Sequence, residues 1–143
     1  MENSSETSCP IARGIACIGD TWSMLILRDA SNGLTRFDQF RKSLKIAPTI
    51  LTRRLATLTE EGLLEKQRYS QKPPRDEYVL TAAGQDYLPV LAMLGAWGRK
   101  YRGHGKLTRF VDAATGVEIQ PIVIDSINGA RIGTRPIQAV APE

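Results

Sequence analysis

The sequence is poor in the side chains that most enzyme chemistry uses. It has one histidine, His104, and two cysteines, Cys9 and Cys17, in 143 residues. A lone imidazole among scattered carboxylates offers no general acid–base cluster and no histidine-based metal site. Two cysteines are too few for a disulfide scaffold and suit a reducing compartment. No apolar run approaches the roughly 20 residues that cross a bilayer. The opening Met1-Glu2-Asn3-Ser4-Ser5-Glu6 has neither the basic start nor the apolar stretch of an export signal. There is no Gly-rich phosphate loop, no low-complexity stretch and no evident internal repeat. The expectation is a cytoplasmic protein that is not an enzyme, with no catalytic residue, metal, cofactor or membrane partner.

What is present is ordinary in amount and uneven in placement. Hydrophobic residues make up 42% and charged residues 24%, as in a soluble globular protein, and the length suits one domain with an appendage. The net charge is +4. Between Arg36 and Arg75 stand ten basic residues (Arg36, Arg41, Lys42, Lys45, Arg53, Arg54, Lys66, Arg68, Lys72, Arg75) and four acidic ones (Asp38, Glu60, Glu61, Glu65). The remainder of the chain is net negative. A surplus confined to one segment is what a phosphate-facing surface requires. A solvated basic face is the plain alternative.

Hydrophobic periodicity predicts a helix opening at Cys9-Pro10 with Ile11, Ile15 and Ile18 on one side. Gly19-Asp20 breaks it, and Thr21 caps a second helix through Trp22, Leu25 and Ile26 that ends at Ser31-Asn32-Gly33. Thr35 caps a third, with Phe37, Phe40 and Leu44 at helical spacing. Pro48 starts a fourth, whose buried stripe is Leu51, Leu55 and Leu58 and whose stop is Gly62. Its opposite face carries Thr49, Thr52, Arg53, Ala56 and Thr57, groups that approach bases and phosphates closely. Two strands follow, Leu63–Tyr69 and Asp76–Leu80, around the basic, proline-stiffened turn 70–75. Thr81 then caps a long helix from Ala82 to about Tyr101, kinked at Pro89. From Gly103 onward β-branched residues between glycines predict a small β-hairpin with Asn128-Gly129 as its turn. The expected division is 1–8 flexible tail, 9–102 DNA-binding and dimerisation domain, and 103–143 β-rich appendage.

Three helices, a basic helix, a two-stranded wing and a further helix make a mainly α fold with a small β-wing, the winged helix-turn-helix. The residues resemble the HxlR-type bacterial regulators. The carrying segments are Cys9-Pro10-Ile11-Ala12-Arg13, Ile18-Gly19-Asp20-Thr21-Trp22-Ser23-Met24-Leu25-Ile26-Leu27-Arg28 and Gly33-Leu34-Thr35-Arg36-Phe37-Asp38-Gln39-Phe40. They continue in Leu51-Thr52-Arg53-Arg54-Leu55, Glu61-Gly62-Leu63-Leu64, Pro73-Pro74-Arg75-Asp76-Glu77-Tyr78 and Leu80-Thr81-Ala82-Ala83-Gly84. The resemblance implies a homodimer built from the first and last helices of the domain. It also implies a palindromic double-stranded DNA operator and, more often than not, repression.

Within that frame Thr49, Thr52 and Arg53 are assigned to the groove, Arg53 as base reader because its fork matches the acceptors of guanine. Arg54, nearer the flank, is read as a phosphate contact or an internal ion pair. Arg36 and Lys45 are assigned to phosphates, and Arg68, Lys72 and Arg75 to the wing. Candidates for the dimer interface or a ligand pocket are Ile11, Ile15, Trp22, Leu91, Leu94, Trp97 and Tyr101.

Cys9 stands at a helix N-terminus, where the macrodipole favours a thiolate, with Arg13 a turn away. The resemblance implies redox sensors with a cysteine at this position, so an oxidant or electrophile is one candidate effector. The plain alternative is an inert thiol at the dimer interface. Cys17 lies about 12 Å along the same helix, too far for a bridge within one chain, and reads as core filler. The resemblance also implies that longer members of the family carry a zinc ribbon; here the matching stretches Ala113–Gly116 and Asp125–Gly129 hold no cysteine, so no metal is expected. Two alternatives remain open: a regulator answering to a small aromatic ligand near Trp22, Trp97 and Tyr101, and a winged-helix protein-interaction module that does not bind DNA.

Overall fold

The computed structural model describes residues 7–18 and 20–143. Most of the expected tail, 1–8, and the break expected at Gly19 lie outside the described residues. The chain divides into two compact units, one reaching to Leu88 and one running from Pro89 to Glu143.

The first unit contains α1 (Pro10–Ile18), α2 (Thr21–Ser31), α3 (Phe37–Leu44), α4 (Pro48–Glu60), β1 (Leu64–Gln71), β2 (Pro74–Leu80) and α5 (Ala82–Gln85). Its core is Ile26, Leu27, Phe40, Leu51, Leu55 and Leu58, all fully buried, closed at the edges by Ile18, Ile46, Leu63 and Leu64. Burying one such side chain contributes roughly 1.5–3 kcal/mol, so this small set orients α2, α3 and α4.

The caps differ from those expected. Asp20, not Thr21, caps α2, its Oδ1 accepting the Ser23 N–H at 2.8 Å. Thr35 does not cap α3: Arg36 holds that position, and the Gln39 Oε1 accepts the backbone N–H groups of Thr35 and Arg36 at 2.9 and 3.0 Å. The Thr35 hydroxyl instead donates to Glu77 at 3.0 Å. A partner 42 residues away decides its role, and local capping preference has no access to that.

The wing is an antiparallel pair running from Leu64 opposite Leu80 to Gln71 opposite Pro74, with an irregularity between Arg68 and Ser70. The expected turn 70–75 shrinks to Lys72-Pro73, because the ladder resumes beyond Tyr69. Pro74 is tolerated at the strand end, where its missing N–H is not called for. The Tyr78 N–H donates to the Thr35 carbonyl at 2.7 Å, which ties the wing to the α2–α3 connection.

The long kinked helix is two helices. α5 ends at Gln85, and the Thr81 hydroxyl caps it by accepting the Gly84 N–H at 3.1 Å. α6 (Leu88–Tyr101) begins afresh, with Pro89 in its first turn, where a proline leaves no helical hydrogen bond unmade. Gly84 is buried against the Leu63 carbonyl, where any Cβ would collide with the backbone oxygen.

In the second unit the expected hairpin takes the form of two tight turns, each closed by one antiparallel bridge, Val111 with Glu118 and Ile124 with Arg131. The turns repeat one another. Gly116 and Gly129 donate to the carbonyls of Asp112 and Asp125 at 2.7 Å, Asp112 and Asp125 donate to Val117 and Ala130 at 2.8 Å, and Ile119 and Ile132 donate to Phe110 and Val123 at 2.9 Å. Both glycines have positive φ, 69° and 73°, the left-handed geometry that glycine adopts without strain. This is an internal repeat that the sequence did not disclose. Asp112 pairs with Asp125 and Gly116 with Gly129, but the residues between them differ.

Candidate nucleic-acid interface

The buried leucine stripe of α4 fixes its outer face. Thr49, Thr52, Arg53 and Ala56 are exposed and Thr57 is half-buried. The Thr52 hydroxyl donates to the Pro48 carbonyl at 2.9 Å and that of Thr57 to the Arg53 carbonyl at 3.1 Å. Each hydroxyl has spent its only hydrogen, so Thr52 presents lone pairs and a methyl group outward. Such a surface accepts from adenine or cytosine amino groups or packs on a thymine methyl. Arg53 has no ion-pair partner among the described residues. Arg54 is half-buried and meets the Asp20 carboxylate at 2.8 Å, the internal pair that sequence reasoning left open for it.

The turn between α3 and α4 forms a recess of about 570 Å³ lined by Asp38, Arg41, Lys42, Lys45 and Pro48. Three cations surround one carboxylate there. α4 has no side-chain cap; Pro48 lacks an N–H and Leu51 donates to the Ala47 carbonyl. The Thr49 and Ile50 N–H groups are therefore left at the positive end of the helix dipole, a ready seat for a phosphate. Lys45 has φ 52° and ψ 38°, a left-handed conformation uncommon for a side-chain-bearing residue.

On the wing, Asp76 meets Arg68 at 3.3 Å and Lys66 at 3.6 Å. The basic segment counted from the sequence stops one residue short of this carboxylate, so its surplus overstates the free charge. Lys72 and Arg75 are exposed and have no ion-pair partner among the described residues. Arg36 lies over the ring of Tyr69, 4.3 Å from its centroid, so the start of α3 touches the irregular position of β1. Sequence reasoning did not select Tyr69; no local pattern marks a cation–π contact between distant residues.

Cys9 is exposed and Cys17 half-buried, and both are free. The Arg13 Nε donates to the Thr7 carbonyl at 2.6 Å. Burial, then the Glu61 carboxylate, pushes the Cys17 thiol above its ordinary value. Ile11 and Ile15 on α1 are exposed and Trp22 half-buried. In the second unit Leu91 is half-buried, Leu94, Trp97 and Tyr101 are exposed, and the rings of Trp97 and Tyr101 stand 5.2 Å apart. His104 is exposed, and no group of three or more metal-ligating side chains occurs among the described residues. No helix among them is long and apolar enough to cross a membrane.

The sequence profile of the HxlR-like helix-turn-helix family matches residues 17–106. An uncharacterized HTH-type transcriptional regulator of Mycobacterium tuberculosis is 34% identical over 129 residues, which span 89% of this chain and 82% of the relative. Among solved structures, the candidate transcription factor PA1607 superposes with a TM-score of 0.86 at 34% identity, covering 96% of this chain and 98% of its own. That match extends well past residue 106. The redox regulator HypR in its reduced form matches with a TM-score of 0.62 at 29% identity, covering 66% of this chain and 94% of its own.

Proposed function

The chain belongs to the HxlR-like helix-turn-helix family, and we propose that it represses transcription as a homodimer on a palindromic double-stranded DNA operator. The observation that carries this reading is the placement of α4. Its small, hydroxyl-bearing outer face stands beside the cation-lined recess at its own N-terminus. In that reading the recess and the N–H groups of Thr49 and Ile50 hold a backbone phosphate and set the register. Thr49, Thr52 and Arg53 then lie along base edges, and Lys72 and Arg75 reach flanking phosphates. The exposed apolar side chains of α1 (Ile11, Ile15) and of α6 (Leu94, Trp97, Tyr101) supply the seam between copies.

The test is fluorescence-anisotropy titration of a duplex selected from a random pool, over a range of salt. The expected result is specific binding whose affinity falls steeply, by several decades per decade of salt, as several phosphate contacts require. Absence of duplex binding at low salt would leave the protein-interaction module as the better account.

A second reading adds a redox effector. It is supported by the exposure of Cys9 at the start of α1 and by the likeness to HypR, described as a redox regulator. In it, oxidation of Cys9 changes operator affinity.

A further inference from the structure

The second unit holds a cleft that the DNA-binding reading does not use. α6 has two unlike faces. Val90, Leu94, Trp97 and Tyr101, spaced four, three and four residues apart, form an exposed apolar stripe. The other side is built of Ala92, Gly95 and Ala96, and with the following segment it borders an open cleft of about 890 Å³. That is the size of a small-molecule site.

The cleft is apolar in body and cationic at its rim. Leu107, Phe110, Ile119 and Ile122 line it, and each leaves at least 40% of its surface uncovered. Four cations border it, Arg99, Lys100, Arg102 and Arg131, against a single carboxylate, Glu118. Three of the four are occupied. Arg99 pairs with Glu118 at 3.6 Å and donates to the Thr108 carbonyl; Arg102 donates to the Tyr101 carbonyl at 2.7 Å; Lys100 lies 5.2 Å from the Tyr101 ring centroid. Arg131 has no ion-pair or side-chain hydrogen-bond partner among the described residues.

The geometry points to a binding site for a small apolar carboxylic acid, its aryl or alkyl body against Phe110, Ile119 and Ile122 and its carboxylate on Arg131. Charge complementarity chooses the acid: a neutral ligand leaves Arg131 unanswered, and a cationic one is repelled by the net positive rim. A guanidinium takes a carboxylate through two parallel N–H donors, an arrangement a neutral hydroxyl does not reproduce. The site stands on the second unit alone and does not depend on the DNA-binding reading.

Isothermal titration calorimetry of the full chain with 2-naphthoate, 2-naphthylmethanol and 2-naphthylmethylammonium tests it. Naphthoate is expected to bind about tenfold or more tightly than the alcohol, and the ammonium most weakly. Arg131→Gln is expected to bring naphthoate to the level of the alcohol. A Cβ at Gly95 would stand in ordinary contact with Phe110 Cε2 at 3.9 Å, so Gly95→Leu puts its side chain beside Phe110, where the apolar body would lie. It is expected to abolish binding of all three ligands while circular dichroism is unchanged. Equal affinity for acid and alcohol overturns the proposal, as does naphthoate binding that survives Gly95→Leu. Self-association that weakens in Gly95→Leu while naphthoate never binds would assign the cleft to a second copy, and also overturns it.

Discussion

The guanidinium of Arg54 and the carboxylate of Asp20 meet at 2.8 Å, and the same carboxylate caps α2 by accepting the Ser23 N–H. One side chain of α4 is thereby committed to holding α4 against the start of α2, and its neighbour Arg53 is left outside. Two adjacent arginines on one helix have different work because of where Asp20 stands.

Arg54→Ala removes a half-buried ion pair and leaves Asp20 with its cap alone. The expected cost is about 1–2 kcal/mol in urea denaturation, with no change in which operator bases are preferred. A shifted base preference at unchanged stability would place Arg54 in the groove instead.

Arg53→Ala is expected to do the reverse. Stability stays within about 0.5 kcal/mol, as for an exposed substitution. Operator affinity falls by about tenfold to a hundredfold, and preference relaxes at one position of each half-site. Selection from a randomised operator reads both effects at once. Unchanged selectivity would remove Arg53 from the list of base readers.

Lys45 adopts a left-handed conformation at the turn leading to α4, where glycine is the residue of lowest strain. Lys45→Gly is therefore expected to raise the melting temperature, with a gain below about 1 kcal/mol, and to weaken duplex binding while lowering the salt slope by about two, one for each copy of the dimer. Loss of stability in this variant would show that the lysine holds the turn, and an unchanged salt slope that it touches no phosphate.

The elements carried by periodicity were legible in the sequence. The leucine stripe of α4, the stop at Gly62 and the two wing strands depend on local patterns that a reader sees directly. What was not legible depends on partners distant in the chain. Thr35 gives up its cap for Glu77, Tyr69 carries Arg36 on its ring, and Asp76 takes up charge from Arg68 and Lys66. The break before α6 was half legible: Pro89 announced a disturbance, but a proline in a first turn and one at a kink look alike without the backbone. The twin turns at Asp112 and Asp125 escaped because hydrogen-bond geometry repeats there more faithfully than side chains do.

Asp112 gives a pH prediction. Its Oδ1 accepts the N–H groups of Thr115 and Ala114 at 2.9 and 2.8 Å, and these hold its carboxyl below the ordinary carboxylate value. The folded group stays ionised to lower pH than the unfolded one. Its stabilisation is thus complete above the unfolded value and is lost as pH falls through the folded one. The stability difference between wild type and Asp112→Asn should be constant near neutrality and shrink in that acid window. A carboxyl-carbon NMR titration of Asp112 reads the depressed value directly, and an ordinary midpoint there would sink the account.

The two cysteines should separate in alkylation kinetics. Cys9 is exposed, whereas Cys17 is half-buried with its thiol raised by burial first and by the Glu61 carboxylate second. The thiolate is the reacting species, so iodoacetamide near pH 8 is expected to label Cys9 first and Cys17 slowly, as followed by peptide mass spectrometry. Glu61→Gln removes the charge and leaves the burial, so it should speed Cys17 labelling only in part. The same shift makes folding oppose ionisation: the contribution of Cys17 is complete below the ordinary thiol value and is lost as pH rises toward the folded one. If Cys9 is also the sensor, Cys9→Ser binds the operator normally and no longer responds to hypochlorite or quinone. A response that persists in Cys9→Ser and disappears in Cys17→Ser would transfer the role to the half-buried thiol.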